Sequence, residues 1–248
     1  MINTKSLYLH PFSYPILKSD SLIESNVYDD LKKNWPNFAK FQTTSAGQVS
    51  RNNLELKKDN NNYNKIHTSY KDLYDELNST SFREFLKSKI DLDTARKEQG
   101  FIGDFDSSAL VMHVAESTNG YENPWHVDTR GRIIHFLIYF GDETIEEGGE
   151  LGIAEHKPLK SVLEYKQNPN EKDLEKIEYI QPKNNVGVFI LSQHNSYHKG
   201  CLTKGLRRFI YAGYTNKSGD AWETNNWRIK GKNFTNRETK RRKRLKFI

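Results

Sequence analysis

Apolar positions change their period part-way along the chain. Between Asp20 and Trp35, Leu22, Ile23, Val27, Tyr28, Leu31 and Trp35 recur mostly at three- to four-residue steps behind Ser19 and Ser21, which predicts an amphipathic helix ended by Pro36. A second helical stretch is predicted from Ser69 to about Ile90. Tyr70, Leu73, Tyr74 and Leu77 share one face there, and Ser81 with Glu84 has the capping-box spacing of a restart. The intervening Gln42 to Lys65 is rich in Asn and Lys and poor in large apolar residues, and reads as an exposed loop. After about Phe101 the pattern becomes short runs of β-branched and aromatic residues: Ala109 to Ala115, Ile133 to Phe140, Glu150 to Ala154, Ile177 to Ile180, Gly187 to Leu191 and Arg208 to Thr215. Turn signals separate them, among them Gly148 with Gly149 and Pro182 to Asn185, and Asn168 to Lys172 reads as a surface loop. Helices followed by strands predict a mainly β fold, an antiparallel double-sheet barrel with supporting α-helices on one side.

Composition sets bounds on this picture. The 248 residues suit one domain, divided here into a helical support region (1–100), a strand-rich core (101–216) and a basic C-terminal tail (217–248). Hydrophobic residues at 35%, with 13 Phe and 13 Tyr, supply enough apolar surface for a packed core and exclude a wholly disordered chain. No apolar run approaches the roughly 20 residues of a membrane span. Residues Met1 to Lys18 show no apolar signal segment, and Cys201 stands alone, so neither an internal disulfide nor a thiolate zinc cluster can form; a reducing cytoplasm is the expected compartment. From Arg228 onward ten Lys or Arg face Glu238 alone, a net of +9, which leaves −3 for the remainder of a chain whose total is +6. A slightly acidic body with a basic tail predicts non-specific polyanion contact by the tail at most, not a nucleic-acid partner.

The candidate chemistry lies in His126, Val127, Asp128, in Ser196, Tyr197, His198, and in Arg208, ten positions after that histidine. Two imidazoles and one carboxylate on one side of a metal leave three positions open, the requirement of an Fe(II) site that also takes a chelating co-substrate and dioxygen. On extended chain His126 and Asp128, two apart, point the same way. A forked, permanently charged guanidinium suits the far carboxylate of such a co-substrate.

These elements resemble the Fe(II)/2-oxoglutarate-dependent dioxygenases, in particular the prolyl 4-hydroxylase-like branch. The likeness rests on His126 and Asp128, on Arg132 to Tyr139 followed by Gly148 to Leu151, on Ser196 to His198, and on Arg208 with Gly213 and Tyr214, spanning about residues 105 to 216. It implies a double-stranded β-helix (jelly roll) core. It also implies Fe(II) bound by His126, Asp128 and His198, 2-oxoglutarate held at its C5 carboxylate by Arg208 and Tyr139, and His135 lining the same pocket. O2 is the further co-substrate, succinate and CO2 are products, and Asp128 favours hydroxylation over the halogenation that a small residue there permits. The substrate is expected to be a small molecule or peptide: an amino acid, peptidyl proline or other small metabolite.

Competing readings accompany each assignment. His194 is the rival distal ligand, and Arg207, adjacent to Arg208 and so facing the other way, is expected to face solvent. Tyr139, His113 and His135 have core-packing alternatives, and Gly148 with Gly149 can mark a tight turn alone. At the level of the whole chain the alternatives are a non-catalytic, cupin-like ligand-binding module and a nucleic-acid demethylase. The latter branch carries a second arginine six residues after the first, where this chain has Tyr214.

Overall fold

The structure, a computed structural model, describes residues 1–45, 51–58, 60–92, 104–118, 120–128, 131–159, 166–215, 228–229 and 232–233. Strands β1 (Tyr8–His10) and β2 (Ile16–Ser19) precede helix α1 (Ser25–Lys33); β3 (Thr44–Ser45) and β4 (Arg51–Leu56) follow, then α2 (Asn61–Lys65), α3 (Thr68–Leu77) and α4 (Thr80–Lys89). The strand-rich part runs β5 (Ala109–Ser117), β6 (Tyr121–His126), β7 (Arg132–Phe140), β8 (Ile145–Gly148), β9 (Leu151–His156), β10 (Leu174–Ile180), β11 (Gly187–Leu191), β12 (Tyr197–Gly205) and β13 (Arg207–Thr215). The basic tail lies almost wholly outside the described residues.

Helix positions follow the sequence pattern with two shifts. Helix α1 starts after Ile23 because that segment is drawn onto the N-terminus: Ile2 bridges Ile23, and Asn3 N donates to Leu22 O at 2.7 Å. Between α3 and α4 the cap is Ser79, whose hydroxyl accepts from Phe82 N at 3.2 Å, two residues before the restart that Ser81 and Glu84 indicate.

The stretch 42–65 differs more. It holds β4, paired antiparallel with β5 from Arg51↔Ser117 to Leu56↔Met112, and Leu54 and Leu56 are fully buried. Its polar look arises because only one face of β4 meets the helices, while the other carries Arg51, Asn53 and Glu55. The first hundred residues are thus more than a helical support: β1 to β4 extend the large sheet at both edges.

The large antiparallel sheet has the order β1-β2-β11-β7-β13-β5-β4-β3; the smaller one is β10-β9-β12-β6, with β8 also on β12. Their inner faces meet through Ala115, Leu137, Tyr139, Val188, Ile190 and Phe209 on one side and Leu151 and Ile153 on the other, the jelly-roll interior the sequence predicts. The outer face of the large sheet is covered by the helices through Leu31, Tyr70, Leu73, Leu77, Phe82 and Leu86. Phe189 joins the layers, fully buried, stacked on Phe136 at 4.5 Å and tilted to Phe82 at 6.0 Å; truncating such a side chain costs a core about 3–5 kcal/mol. Tyr214 donates its hydroxyl to Leu77 O, fixing α3 to the central strand β13. Because both faces of β7 and β13 are covered, each reads as a continuous apolar run.

Candidate metal centre

His126 is the last residue of β6 and His198 the second of β12, and the register pairs them directly, His198↔His126. Directly paired residues share a sheet face, so the two imidazoles meet with ring centroids 4.3 Å apart. Asp128 follows just past the strand. The intervening Val127 is pinned between its neighbours, its N donating to Gln167 O at 3.0 Å, which keeps the run extended after β6 ends. One ligating atom from each of His126, Asp128 and His198 lies within 4.8 Å of the others, the sole such cluster of three His, Cys, Asp or Glu among the described residues.

The hydrogen bonds around these side chains set their chemistry. His126 Nδ1 lies 2.8 Å from Pro124 O, and His198 Nδ1 lies 2.9 Å from Ser196 O. A carbonyl can only accept, so both Nδ1 atoms carry the proton and both Nε2 lone pairs are turned toward Asp128, at 3.9 Å and 4.0 Å from its carboxylate. Burial pushes both imidazoles below their ordinary pKa, keeping them neutral and able to ligate. Burial alone would raise the Asp128 carboxyl; the Arg132 guanidinium and the His135 imidazole beside it outweigh that and hold the acid well below the usual carboxylate range. An ionised carboxylate and two neutral imidazoles, backed by carbonyls, form a donor set that fits a divalent first-row metal with open positions.

His135, on the inner face of β7, touches this set. Its Nδ1 lies 2.9 Å from Asp128 Oδ2 and 3.3 Å from Ser192 Oγ, and its ring sits tilted against that of His198 with centroids 4.5 Å apart. It is 2% exposed, and its Nε2 is buried without a partner among the described residues. Opposite His135 stands Gly213, where an added Cβ would come within 2.8 Å of Ile134 O, so the wall beside that ring carries no side chain.

Four residues beyond His135, Tyr139 faces the same interior, about 13 Å along the strand. Here the structure corrects the sequence reading. Arg208 does not enter the barrel: it pairs with Phe140 on the helix-facing side, donates from Nε to Glu116 Oε1 at 3.1 Å and stacks over Trp35. The guanidinium that enters is that of Arg207, expected to face solvent. It is 2% exposed, shares its strand face with Phe209, and donates from a terminal nitrogen to Tyr139 Oη at 3.1 Å. Strand alternation decides this: Phe209 pairs with the inward Tyr139, so residues 207, 209, 211 and 213 face in and 208 faces out. Arg207 Nε is buried and unsatisfied, and no carboxylate pairs with this side chain among the described residues. Tyr139 Oη has accepted a bond yet finds no acceptor for its own proton there. Beside them Gly149 adopts φ +78, and a Cβ on it would press on Arg207 Cδ at 3.2 Å. A buried cation and a phenol with unspent donors form a ready anion site.

The other histidines stand apart from the cluster. His194 is driven down to about 4 by burial and is not in the ligating set; His113 faces the interior on β5, stacked 6.2 Å from Tyr211. What sequence reasoning missed is the burial of Arg207 and the direct contact of His135 with Asp128; the only signal for the former was the parity of Phe209 and Gly213.

Comparison with known proteins agrees with this geometry. Residues 112–216 match the 2OG-Fe(II) oxygenase superfamily model. A Pseudomonas putida prolyl-4-hydroxylase superposes with a TM-score of 0.51 at 12% identity, covering 82% of this chain and 94% of that one. A Trichoplax adhaerens prolyl hydroxylase, in complex with a hypoxia inducible factor oxygen degradation domain peptide fragment, gives 0.51 at 15% identity over 86% and 88%. A Burkholderia pseudomallei oxidoreductase of the 2OG-Fe(II) oxygenase family gives 0.50 at 7% identity over 82% and 84%. Comparison with curated protein sequences gives no match. Among the described residues no helix is long and apolar enough to cross a membrane. Residues 112–216 are thus similar to the 2OG-Fe(II) oxygenase superfamily, and the chain shares its fold with those prolyl hydroxylases.

Proposed function

We propose that this protein is an Fe(II)- and 2-oxoglutarate-dependent hydroxylase in which His126, Asp128 and His198 hold the iron, while Arg207 with Tyr139 holds the distal carboxylate of 2-oxoglutarate. The observation that carries the reading is the conjunction of two sites facing one interior: a trio on β6 and β12 with its Nε2 lone pairs turned inward, touched by His135 of β7, and, at Tyr139 farther along that face of β7, the buried Arg207 guanidinium with unspent donors among the described residues. A metal site alone would need no second, anion-binding pocket.

When bound, the iron supplies oxidation of an unactivated C–H bond, coupled to conversion of 2-oxoglutarate and O2 into succinate and CO2. The protein's own residues orient and insulate. Pro124 O and Ser196 O fix the imidazole tautomers, His135 and Arg132 hold Asp128 ionised, and the interior of Leu137, Ile153, Ile190 and Phe209 excludes water between the two ends. Asp128 keeps a carboxylate at the position where halogenation needs a small residue. The substrates considered are an amino acid, a peptidyl proline or another small metabolite. The test is succinate release from 2-oxoglutarate under air with Fe(II): wild-type protein is expected to release it, and His126→Ala and His198→Ala to release none. Succinate release unaffected by either substitution contradicts the reading.

A further inference from the structure

Along the inner face of β13 guanidinium and aromatic groups alternate. Arg207 lies over Phe209 at 4.7 Å, Arg51 over Phe209 at 5.0 Å and Tyr211 at 5.1 Å, and Arg132 over Tyr211 at 5.0 Å, next to Asp128 at 3.2 Å. Arg51 stands in the row Arg51–Ser117–Arg207 across β4, β5 and β13, so its side chain faces the cavity.

Among the described residues the partners of Arg51 are few and neutral: Nε donates to Asn53 Oδ1 at 2.8 Å and one terminal nitrogen to Tyr121 Oη at 3.3 Å. No carboxylate pairs with it among the described residues, and Glu55, further along the same face of β4, is exposed. A structural arginine in this same protein looks different. Arg83 makes four hydrogen bonds, to Phe105 O, Ser108 O, Ser108 Oγ and Asn78 Oδ1, and so spends its donors on fixed acceptors. Desolvation, with the nearby Arg207 adding, pushes the Arg51 guanidinium below its ordinary pKa.

Charge balance then points to a ligand. On the proposed hydroxylase reading, on which this inference rests, the two charges of Fe(II) and that of Arg207 are matched by Asp128 and the 2-oxoglutarate dianion. Arg132, whose carboxylate partner is then occupied, and Arg51 are left over. We propose that Arg51, assisted by Arg132, binds an oxyanion on the substrate, so that the compound hydroxylated is a small carboxylate or phosphate ester rather than an uncharged prolyl peptide. The guanidinium fork matches either oxyanion bidentately.

The test titrates matched pairs into full-length protein loaded anaerobically with Mn(II) and 2-oxoglutarate, followed by calorimetry, and repeats them with Fe(II) and air for succinate release. The pairs are free amino acids against their α-amides, serine phosphate against serine, and proline against acetyl-Ala-Pro-Ala-amide. At least one anionic member is expected to bind at least tenfold more tightly than its neutral partner. The carboxylate and phosphate arms tell the two sources apart. Arg51→Gln should abolish that preference while leaving the 2-oxoglutarate dissociation constant within about twofold, and Arg51→Lys should restore part of it. Three results overturn the proposal: no acid-over-neutral preference anywhere in the panel, a preference for the capped peptide, or an Arg51→Gln effect on 2-oxoglutarate as large as that on substrate. Failure of 2-oxoglutarate itself to bind the metal-loaded protein would instead remove the hydroxylase reading beneath it.

Discussion

Replacing Arg207 and Arg208 separately by Met gives the sharpest contrast in the molecule, because the two neighbours face opposite sides of one strand. Arg207 is 2% exposed, contacts Tyr139 Oη and has an Nε with no partner among the described residues. With 2-oxoglutarate bound, Arg207→Met leaves a buried carboxylate without its cation, and removing one member of a buried pair costs about 3–5 kcal/mol. At about 1.4 kcal/mol per factor of ten, the dissociation constant of 2-oxoglutarate should rise by roughly two to three and a half orders of magnitude. The same substitution removes a desolvated charge with no carboxylate partner among the described residues, so the thermal midpoint of the ligand-free protein should hold or rise. Arg208, with 32% of its side chain exposed, pairs with Glu116 on the helix side; such a pair contributes at most about 1 kcal/mol. Arg208→Met should therefore lower the thermal midpoint slightly and leave 2-oxoglutarate affinity within about threefold. Calorimetric titration of 2-oxoglutarate into the anaerobic metal-loaded variants measures both. An Arg208→Met variant that loses 2-oxoglutarate affinity as much as Arg207→Met does would refute the assignment.

Two further outcomes follow from the buried histidines. His135→Leu should weaken iron binding by about 10- to 100-fold, the usual effect of losing a hydrogen-bonding partner behind a metal ligand, without unfolding the protein; competition with a chromophoric chelator measures it, and unchanged affinity would show that Asp128 needs no support from His135. His113, driven down to about 4 mainly by burial, with Arg51 and Arg132 adding, resists protonation in the folded state from its unfolded value of 6.5 down to about 4. Over that window the unfolded chain takes up a proton and the folded one does not, so stability falls as pH falls, by at most about 3 kcal/mol, and the effect levels off below about 4. Urea unfolding at pH 7 and pH 4.5 should show a smaller acid loss for His113→Gln than for wild type; equal losses would mean that this imidazole is protonated freely in the fold.

The parts of the fold legible in the sequence were those with a single exposed face. Helices α1, α3 and α4 each bury one stripe, and their periodicity shows it. The central strands announced themselves as apolar runs, but the same double coverage erased their alternation: Phe209, Ile210, Ala212 and Tyr214 are all buried although they face opposite ways, so apolarity could not tell which of Arg207 and Arg208 points inward. Strands β6 and β12 were hidden for the opposite reason. Tyr121–His126 contains Pro124, and Tyr197–Gly205 is broken by Lys and Gly, residues tolerated because the register slips at Gly200. The ligating trio could be found because its chemistry depends on residue type and order. The contact of His135 with Asp128 depends on how β7 lies beside the end of β6, a tertiary fact without a local signature.

The measurement that bears most directly on the whole account is anaerobic absorption spectroscopy of the protein titrated first with Fe(II) and then with 2-oxoglutarate. The account predicts a weak visible charge-transfer band that saturates at one equivalent of each, is lost in His198→Ala, persists in His194→Ala, and in Arg207→Met appears only at far higher 2-oxoglutarate. A wild-type protein that shows no band, or a band that survives in His198→Ala and vanishes in His194→Ala, would contradict it.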